Sequence, residues 1–311
     1  MSNGKGISRC RVRTATITLM ATLFAIVFTL PLTETFGAEG RAKVLYFTRQ
    51  QGFEHTPTKL QDDGTTVSGA ALTKYCDARN IELVCTQDGR VFDGDIDQYD
   101  AFVFYTSGQL EAAHGSKNPT AHAISSDGIK KFFAAVKGGK GFVCIHSANV
   151  SSCSHKDDKG FDLYTKLVGG RFLLHANMQD APVLIVSPVQ LPWLKDKGDT
   201  YMAHEEWPTF TDYNPDMHVV LVQETAGMTG DCYNRPNYPS SWIRMEGQGR
   251  VAYSAFGHVD AFWQNDENVR KIGEMIEWTI RRFDMDTTPN FDIVTPLGNE
   301  LHQPKTGKNQ R

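Results

Sequence analysis

The stretch GGKGFVCIHSANV, residues 138–150, decides the fold. Its glycines suit a turn, and the apolar run at 141–145 is typical of a strand buried on both faces of a parallel sheet. The run ends on His146, and small and polar residues follow at once. In open parallel sheets, ligands bind beyond the carboxyl ends of the strands. The stretch therefore predicts both a central strand and a histidine at the edge of the sheet where reactive sites form.

Buried strands and amphipathic helices alternate along most of the chain. Strands are predicted at 43–48, 81–86, 101–106 and 141–146, and helices at 68–80, 125–139, 161–170 and 266–283. This order predicts an α/β fold with a mostly parallel sheet and helices on both of its faces. Four later strands without intervening helices would form an antiparallel edge or extension, at 181–188, 218–225, 240–246 and 250–257.

The domain organisation follows from the same pattern. Neither an internal repeat nor a linker is visible, so residues 39–283 are expected to form one α/β domain. The segment 284–311 is polar and contains proline, and we expect a loose tail there.

Composition and charge narrow the function classes. The chain has 311 residues, of which 40% are hydrophobic and 22% are charged, as in ordinary globular proteins. The formal net charge is −4. Because there is neither a basic excess nor a run of lysine and arginine, a nucleic-acid partner and a membrane-surface patch are not expected.

The first 38 residues have the layout of a secretory signal. Arg9, Arg11 and Arg13 form a positive region, an apolar segment follows at 15–32, and Ala38 suits the cleavage position. We therefore expect an exported protein, periplasmic or extracellular, with no stable membrane span after cleavage. The alternative is an uncleaved N-terminal anchor, since the apolar segment is long for a signal.

The cysteines do not indicate a zinc finger. Of the six, Cys10 precedes the apolar segment, and the other five are irregularly spaced with no CxxC pair. Cys144 lies inside the apolar strand, where a cysteine is usually a small buried hydrophobe.

Several histidines follow predicted strands. His55 comes after the first strand, His146 ends the fourth, and His258 follows the last strong strand. Further histidines close to strand or helix ends are His114, His175 and His204. Because the carboxyl ends of parallel strands meet at one edge, three or four of these imidazoles are expected to converge. Such a cluster would serve as a general acid/base site or a divalent-metal site, although no HExxH spacing supports the metal.

Five segments resemble, in order and spacing, the motifs of the trehalose-utilisation (ThuA-like) family. They are GFEH (52–55), GGKGFVCIHSA (138–148), LVGGRFLLH (167–175), HEEWPTF (204–210) and SSWIRMEGQGRVAYSAFGH (240–258). The resemblance covers nearly all of the chain after residue 38.

The resemblance implies a flavodoxin-like fold, related to the class I glutamine amidotransferases, and a role in carbohydrate metabolism. In those amidotransferases the corresponding strand ends in a sharp turn that bears a nucleophilic cysteine, similar to a nucleophile elbow. Here His146 takes that place, and Cys144 lies two residues earlier and deeper. A cysteine glutaminase needs its thiolate at the turn, so we predict that this chain is not a glutaminase.

The family pattern also implies a set of catalytic candidates. They are His146, His55, His175, His258, Glu205 and Arg250, with Glu206 as the neighbouring choice for the acidic group. One histidine, His146 or His55, would act as base and a second as acid. Arg250 or a divalent metal would stabilise an enediolate-like charge, and the same four histidines are the candidate metal ligands.

Three hypotheses of function remain open. The first is an enzyme that acts on oxidised (keto-)sugars or glycosides as a hydrolase, lyase or isomerase, with a small carbohydrate as its partner. The second is a non-catalytic module that binds a sugar or a metal. In the third, the histidines are packing features whose imidazoles are satisfied by backbone carbonyls. Only the first two require the histidines to share one pocket.

Overall fold

The computed structural model describes residue 1 and residues 40–116, 118–187 and 191–302. The predicted signal, residues 1–38, lies outside the described residues except for Met1. Among the helices of the described part, none is long and apolar enough to cross a membrane. The compact unit described below begins at Gly40.

A nine-stranded sheet organises the described part of the chain, with a two-stranded ribbon beside it. The strands are β1 (Ala42–Phe47), β2 (Ile81–Thr86), β3 (Ala101–Phe104), β4 (Gly141–Ile145), β5 (Arg171–Phe172), β6 (Gln179–Ile185), β7 (Thr200–Glu205), β8 (Phe210–Thr211), β9 (His218–Gln223), β10 (Tyr238–Glu246) and β11 (Gly249–Ser254). The ribbon pairs β5 with β8, and the remaining strands form the large sheet.

The large sheet has a parallel half and an antiparallel half. Its strand order is β2-β1-β3-β4-β11-β10-β9-β6-β7. The pairs from β2 through β11 are parallel, and those from β11 through β7 are antiparallel. This confirms the predicted α/β class and the antiparallel extension by the later strands. β4 lies near the middle, between β3 and β11, and each of its residues is buried.

Helices cover both faces of the sheet. They are α1 (Val67–Asp77), α2 (Ser126–Lys137), α3 (Leu163–Val168), α4 (Asp260–Trp263), α5 (Asp266–Thr279) and α6 (Phe291–Val294). Phe132 of α2 packs against the rings of Phe104 and Phe142. Residue 141 precedes Phe142 in β4 and points to the opposite face, where a Cβ on Gly141 would come within 2.6 Å of Thr279 Cβ in α5. The glycine therefore lets α5 approach the sheet closely.

The helix α2 begins and ends where the sequence predicts. Ser125 accepts a hydrogen bond from the Gly128 amide as its N-cap, and Gly138 is the C-cap. Such a cap satisfies one of the first amides, which have no partner within the helix. The capped helix carries the chain into the Gly138–Gly139 turn and then directly into β4.

The expectation of a loose tail at 284–311 is wrong for residues 284–302. The Asn290 side chain donates to the Val219 carbonyl at 3.0 Å and accepts from its amide at 2.6 Å. Phe291 opens α6 and is only 4% exposed. These contacts attach the segment to β9, so the domain extends beyond the predicted boundary at 283.

Candidate active site

Three strands of the parallel half bring a histidine to the same edge of the sheet. His146 follows β4 directly, His55 lies in the loop after β1, and His258 lies in the loop after β11. The imidazole centroids are 5.0–5.1 Å apart, each ring meeting the other two edge-on. Residues far apart in the sequence therefore meet at the edge where a parallel sheet binds its ligands.

His146 occupies a sharp turn at the end of β4. Its backbone has φ +45°, in the left-handed region that residues other than glycine rarely adopt. It opens the 3₁₀ turn His146–Val150 and is 2% exposed. Such strain persists only where the surrounding structure enforces it, and it is concentrated at functional sites. The turn aims the imidazole across the strand ends towards His258.

A fourth residue, Glu206, completes what we call the His/Glu cluster: His55, His146, Glu206 and His258. One nitrogen or oxygen from each residue lies within 4.8 Å of the other three. His146 Nε2 is 3.0 Å from His258 Nδ1 and 3.5 Å from Glu206 Oε2. His258 Nδ1 is 3.3 Å from the same carboxylate oxygen.

Hydrogen bonds behind the cluster fix the tautomers of two of its imidazoles. His146 Nδ1 is 2.7 Å from the Ala255 carbonyl and must donate to it, which leaves the lone pair of the neutral imidazole on Nε2. His55 Nδ1 is 3.0 Å from Gln50 Oε1. Gln50 Nε2 donates to the Tyr105 carbonyl at 2.7 Å, so its oxygen faces His55 and accepts from Nδ1. His55 therefore also keeps an unprotonated Nε2.

The environment keeps two of these imidazoles neutral. Burial, followed by the nearby His146, His258 and His175, lowers the pKa of His55 to about 2. Burial and His146 lower the pKa of His258 to about 4, against the opposing effect of Glu206. At neutral pH both residues therefore present lone pairs.

The other two residues of the cluster, His146 and Glu206, each favour the charged form of the other. Burial opposes protonation of His146, but Glu206, Glu205 and the Ala255 carbonyl outweigh it and raise the pKa of His146. Burial also opposes ionisation of Glu206, but its contacts with His146, His258 and His175 lower the pKa of Glu206. The Glu206 carboxylate is thus the anionic member of the cluster.

His175 lies at the rim of the cluster. Its Nδ1 is 3.2 Å from Glu206 Oε1 and 3.0 Å from the Ala176 carbonyl, and its side chain is 40% exposed. The chain reaches this place through Gly169, the C-cap of α3, whose φ of +103° is a conformation that suits glycine. His175 therefore contacts the cluster through Glu206, and part of its imidazole is exposed to solvent.

The donor set suits a divalent cation. Three imidazole nitrogens and one carboxylate oxygen are the ligands that zinc and similar first-row metals prefer. Two ligands of a tetrahedral zinc ion are about 3.4 Å apart, given metal–ligand distances of about 2.0–2.1 Å. The 3.0–3.5 Å separations among His146, His258 and Glu206 match this spacing, and the His55 nitrogen lies within 4.8 Å of the other three ligand atoms. The carbonyl and amide that bind the outer nitrogens of His146 and His55 resemble the usual second layer around metal-binding histidines.

Comparison with known proteins identifies the family of this chain. The sequence model of the ThuA family, described as trehalose utilisation, matches residues 43–279. The chain belongs to the ThuA family. The match includes the four residues of the His/Glu cluster and His175. A search of the curated proteins found no match.

Two solved ThuA-like structures have the same fold. A putative ThuA-like protein from Bacteroides uniformis superposes with a TM-score of 0.55 at 16% identity, covering 82% of this chain and 97% of its own. One from Parabacteroides merdae gives a TM-score of 0.54 at 13% identity, covering 80% and 96%. At such low identity the likeness concerns the fold alone.

Of the acidic candidates in this ThuA-family chain, the structure brings Glu206 to the cluster, and Glu205 lies behind it. Glu205 is 1% exposed, and its carboxylate accepts from the amides of Gly257 at 2.8 Å and of Glu206 at 2.9 Å. The Glu205 oxygens bind the backbone beside His258, so the structure does not include this carboxylate in the cluster. Adjacent side chains point in different directions, which is why one glutamate faces the cluster and its neighbour does not.

Arg250 is the candidate that lies elsewhere. It stands at the amino-terminal end of β11, whereas the cluster lies beyond the carboxyl end. Its guanidinium donates to the carbonyls of Trp278 at 3.0 Å and Phe283 at 2.8 Å and pairs with Asp284. The structure does not bring Arg250 to the predicted site, because its donors bind the end of α5 and the segment after it.

Two further histidines that the sequence placed near strand ends lie outside the cluster. His204 is exposed on β7 and contacts Asp180 at 2.9 Å. His114 is exposed in the loop after β3, where its carbonyl accepts from Gln51. A position near the end of a strand therefore does not by itself bring a histidine into the site.

The cysteine expected to be inert is buried below the turn. Cys144 is fully buried in β4, its Sγ is 3.9 Å from the Tyr164 hydroxyl, and burial raises the pKa of its thiol. No cysteine of the described residues belongs to the cluster.

A cavity of about 400 Å³ opens over the cluster. Polar residues of its lining are His55, His146, Ser147, Asn149, Ser107, Gln51, His175 and Glu206, and apolar ones are Phe53, Phe172, Val150 and Pro208. A volume of this size is in the range of small-molecule sites. Three residues of the cluster, His55, His146 and Glu206, therefore line a cavity large enough for a sugar.

Proposed function

We propose that this chain is a carbohydrate-utilisation enzyme that acts on keto-sugars or keto-glycosides through histidine acid/base chemistry assisted by a divalent cation. The observation that carries the proposal is the His/Glu cluster, three of whose residues line the cavity. Membership of the ThuA family, described as trehalose utilisation, supports a sugar as the substrate.

The cluster would hold the cation through His55, His146, His258 and Glu206. Such a cation supplies charge stabilisation to an enediolate-like anion, which forms when a proton leaves the carbon beside a ketone. The chain's own contribution is orientation: the Ala255 carbonyl and Gln50 hold two imidazoles with their lone pairs inward. Because burial keeps His55 and His258 neutral, both are available as ligands at neutral pH.

His175 is the residue we assign to proton transfer. One of its ring nitrogens is held beside Glu206, so the other is free to accept or return a proton on the cavity side. His175 is not one of the four proposed ligands of the cation. It can therefore transfer a proton while the cation keeps all four ligands. Elimination, isomerisation and hydrolysis of a keto-glycoside all begin with such a transfer.

Two further parts of the proposal rest on sequence and topology. The order β2-β1-β3-β4-β11 equals the 2-1-3-4-5 order of flavodoxin-like sheets, and we propose that the parallel half is related to them.

The basic and apolar segment at 1–38 supports export to the periplasm or beyond. N-terminal sequencing of the secreted protein should give a sequence that begins at residue 39.

The test is turnover of keto-trehalose by the chain lacking residues 1–38, with metal content measured on the same samples. We expect chelator-sensitive turnover that falls at least ~10³-fold in His146→Ala. The matched control is His204→Ala, which removes an exposed histidine outside the cluster and should leave turnover and metal content unchanged.

Two results would reject the enzyme. Bound metal without turnover of any keto-glycoside would favour a non-catalytic binding module. Unchanged turnover in His146→Ala, with the protein folded, would remove the cluster from the chemistry.

A further inference from the structure

The strand β7 stands at one end of the nine-stranded sheet, beside β6. In an antiparallel pair, the N–H and C=O of one residue both point to the same side of its strand. The Pro182 carbonyl accepts from the Glu224 amide, so the backbone groups of Pro182 in β6 face β9 rather than β7. Because Pro182 lies opposite Met202 in β7, the N–H and C=O of Met202 point away from β6, towards the open edge of the sheet.

The same alternation places the backbone groups of Thr200 and His204 on the open edge. Among the described residues, the N–H and C=O of Thr200, Met202 and His204 on this side have no hydrogen-bond partner. The side chains of these three residues share one face of the sheet and are all exposed, that of Met202 by 63%. An edge strand with free backbone donors and acceptors is a template for a further strand.

The features that usually prevent edge pairing are missing from β7. Natural proteins protect an edge strand with exposed charges, especially lysine, or with proline. The sequence of β7 is TYMAHE, and its one carboxylate, Glu205, is buried. The opposite edge strand, β2, carries the charged Glu82, and Arg41 donates to its Ile81 carbonyl at 3.0 Å. The two edges of the sheet therefore differ, and β7 is the open one.

A second copy of the chain fits this edge. When two β7 strands run antiparallel about a two-fold axis with Met202 opposite Met202, Thr200 of each copy comes opposite His204 of the other. Each residue with outward backbone groups then meets another such residue, as hydrogen-bonded pairs require. A bound peptide would also need pockets for alternate side chains. The cavities of about 400, 420, 480 and 670 Å³ in the described part have no β7 residue in their linings.

We propose that two copies of this chain associate through β7, as an antiparallel pair centred on Met202 that continues the sheet of one copy into the other. The interface uses the same residues on both sides, so it closes at a dimer. The two Met202 side chains pack against each other on the exposed face. Because a single strand pair buries less surface than a standard interface, the dimer is a weak one. The inference is independent of the proposed function, since no residue of the His/Glu cluster belongs to β7.

Analytical ultracentrifugation of the purified chain at concentrations up to about 500 μM measures the association, and we expect a monomer–dimer equilibrium. Met202→Pro removes an N–H that points to the open edge and leaves the bonds to β6 in place. The folded variant should therefore dimerise at least about tenfold more weakly. The matched control is Met202→Ala, which keeps the N–H and should weaken the dimer less than about threefold.

Cysteine substitutions test the register of the two strands. Opposite Cα atoms of a hydrogen-bonded pair are about 5.5 Å apart, which a disulfide can span. Met202→Cys should therefore give a covalent dimer under mild oxidation. Thr200→Cys should not, because the two copies of residue 200 are four residues apart along the paired strands, roughly 13 Å. The original protein, with its own free cysteines, is the control for crosslinking elsewhere.

The opposite results would overturn the proposal. A monomer at every concentration would contradict the dimer, and association that Met202→Pro leaves unchanged would place the interface elsewhere. Equal crosslinking of the two cysteine variants, or none in Met202→Cys, would contradict the pairing centred on Met202. If Met202→Pro failed to fold, the two cysteine variants would decide the question by themselves.

Discussion

The two ends of β11 carry polar groups that behave in opposite ways. At the amino-terminal end, the Arg250 guanidinium donates to two backbone carbonyls and pairs with Asp284. Beyond the carboxyl end, His258 faces two other imidazoles and the Glu206 carboxylate, and one nitrogen or oxygen of each lies within 4.8 Å of the others. Both regions look equally conspicuous in the sequence. The two regions differ because the donors of Arg250 already have protein partners, whereas the side chains of the cluster can still bind a ligand.

The largest effect is expected from a substitution at Glu206. Glu206→Gln removes the anionic member of the cluster, and we expect the affinity for a divalent cation to fall at least ~100-fold. The measurement is competition for Zn²⁺ with a chromophoric chelator. If Glu206→Gln kept the affinity of the original protein, the carboxylate would not be a ligand.

The opposite end of β11 should respond in stability alone. Arg250→Met leaves two carbonyls without their donor, and we expect the free energy of unfolding to fall by about 2 kcal/mol. Urea denaturation checks the value, and metal affinity of the folded variant should match that of the original protein. A loss of metal affinity with unchanged stability would reverse the roles assigned to the two ends.

Acid should destabilise the metal-free protein through the buried imidazoles. The unfolded chain takes up a proton at His258 below its ordinary pKa of about 6.5, whereas the folded chain does so only near pH 4. The free energy of unfolding therefore decreases as the pH falls through this window. At pH 5 the penalty is about 2 kcal/mol for this one residue.

The matching measurement is denaturation at pH 7 and pH 5 for the original protein and His258→Gln. The original protein should lose about 2 kcal/mol more than the variant between the two pH values. Equal losses would mean that His258 is not held neutral in the folded state. His204→Ala is the control, because that imidazole is exposed.

The smallest effect is expected at Glu205. Glu205→Gln keeps an oxygen able to accept from the Gly257 and Glu206 amides, so the variant should lose only about 1 kcal/mol of stability. Its affinity for Zn²⁺ should change less than threefold. A loss as large as that of Glu206→Gln would make Glu205 a ligand and would invalidate the distinction between the two carboxylates.

Much of the site could be predicted because parallel strands end at one edge. The apolar runs that end near His55, His146 and His258 determine where those imidazoles emerge, independent of distance along the sequence. Arg250 was misplaced because its motif is close to His258 in sequence. A strand rises about 3.3 Å per residue, so the remainder of β11 carries the chain some 13 Å away from the arginine before the loop begins.

Two other differences between prediction and structure depend on tertiary contacts. β7 was not predicted, so the direction of each side chain at its end was undetermined, and Glu205 was chosen over Glu206. The segment after residue 283 has the composition of a loose tail, yet Asn290 and Phe291 attach it to β9 and the core. Pairing at a strand end and a single buried anchor depend on tertiary contacts, which periodicity does not encode.

The most direct test of the central claim is the anomalous diffraction of crystals soaked in Zn²⁺ and measured at the zinc absorption edge. We predict one strong peak about 2.0–2.1 Å from a nitrogen each of His55, His146 and His258 and from an oxygen of Glu206. No peak among these four side chains, in crystals where zinc is bound at other residues, would contradict it.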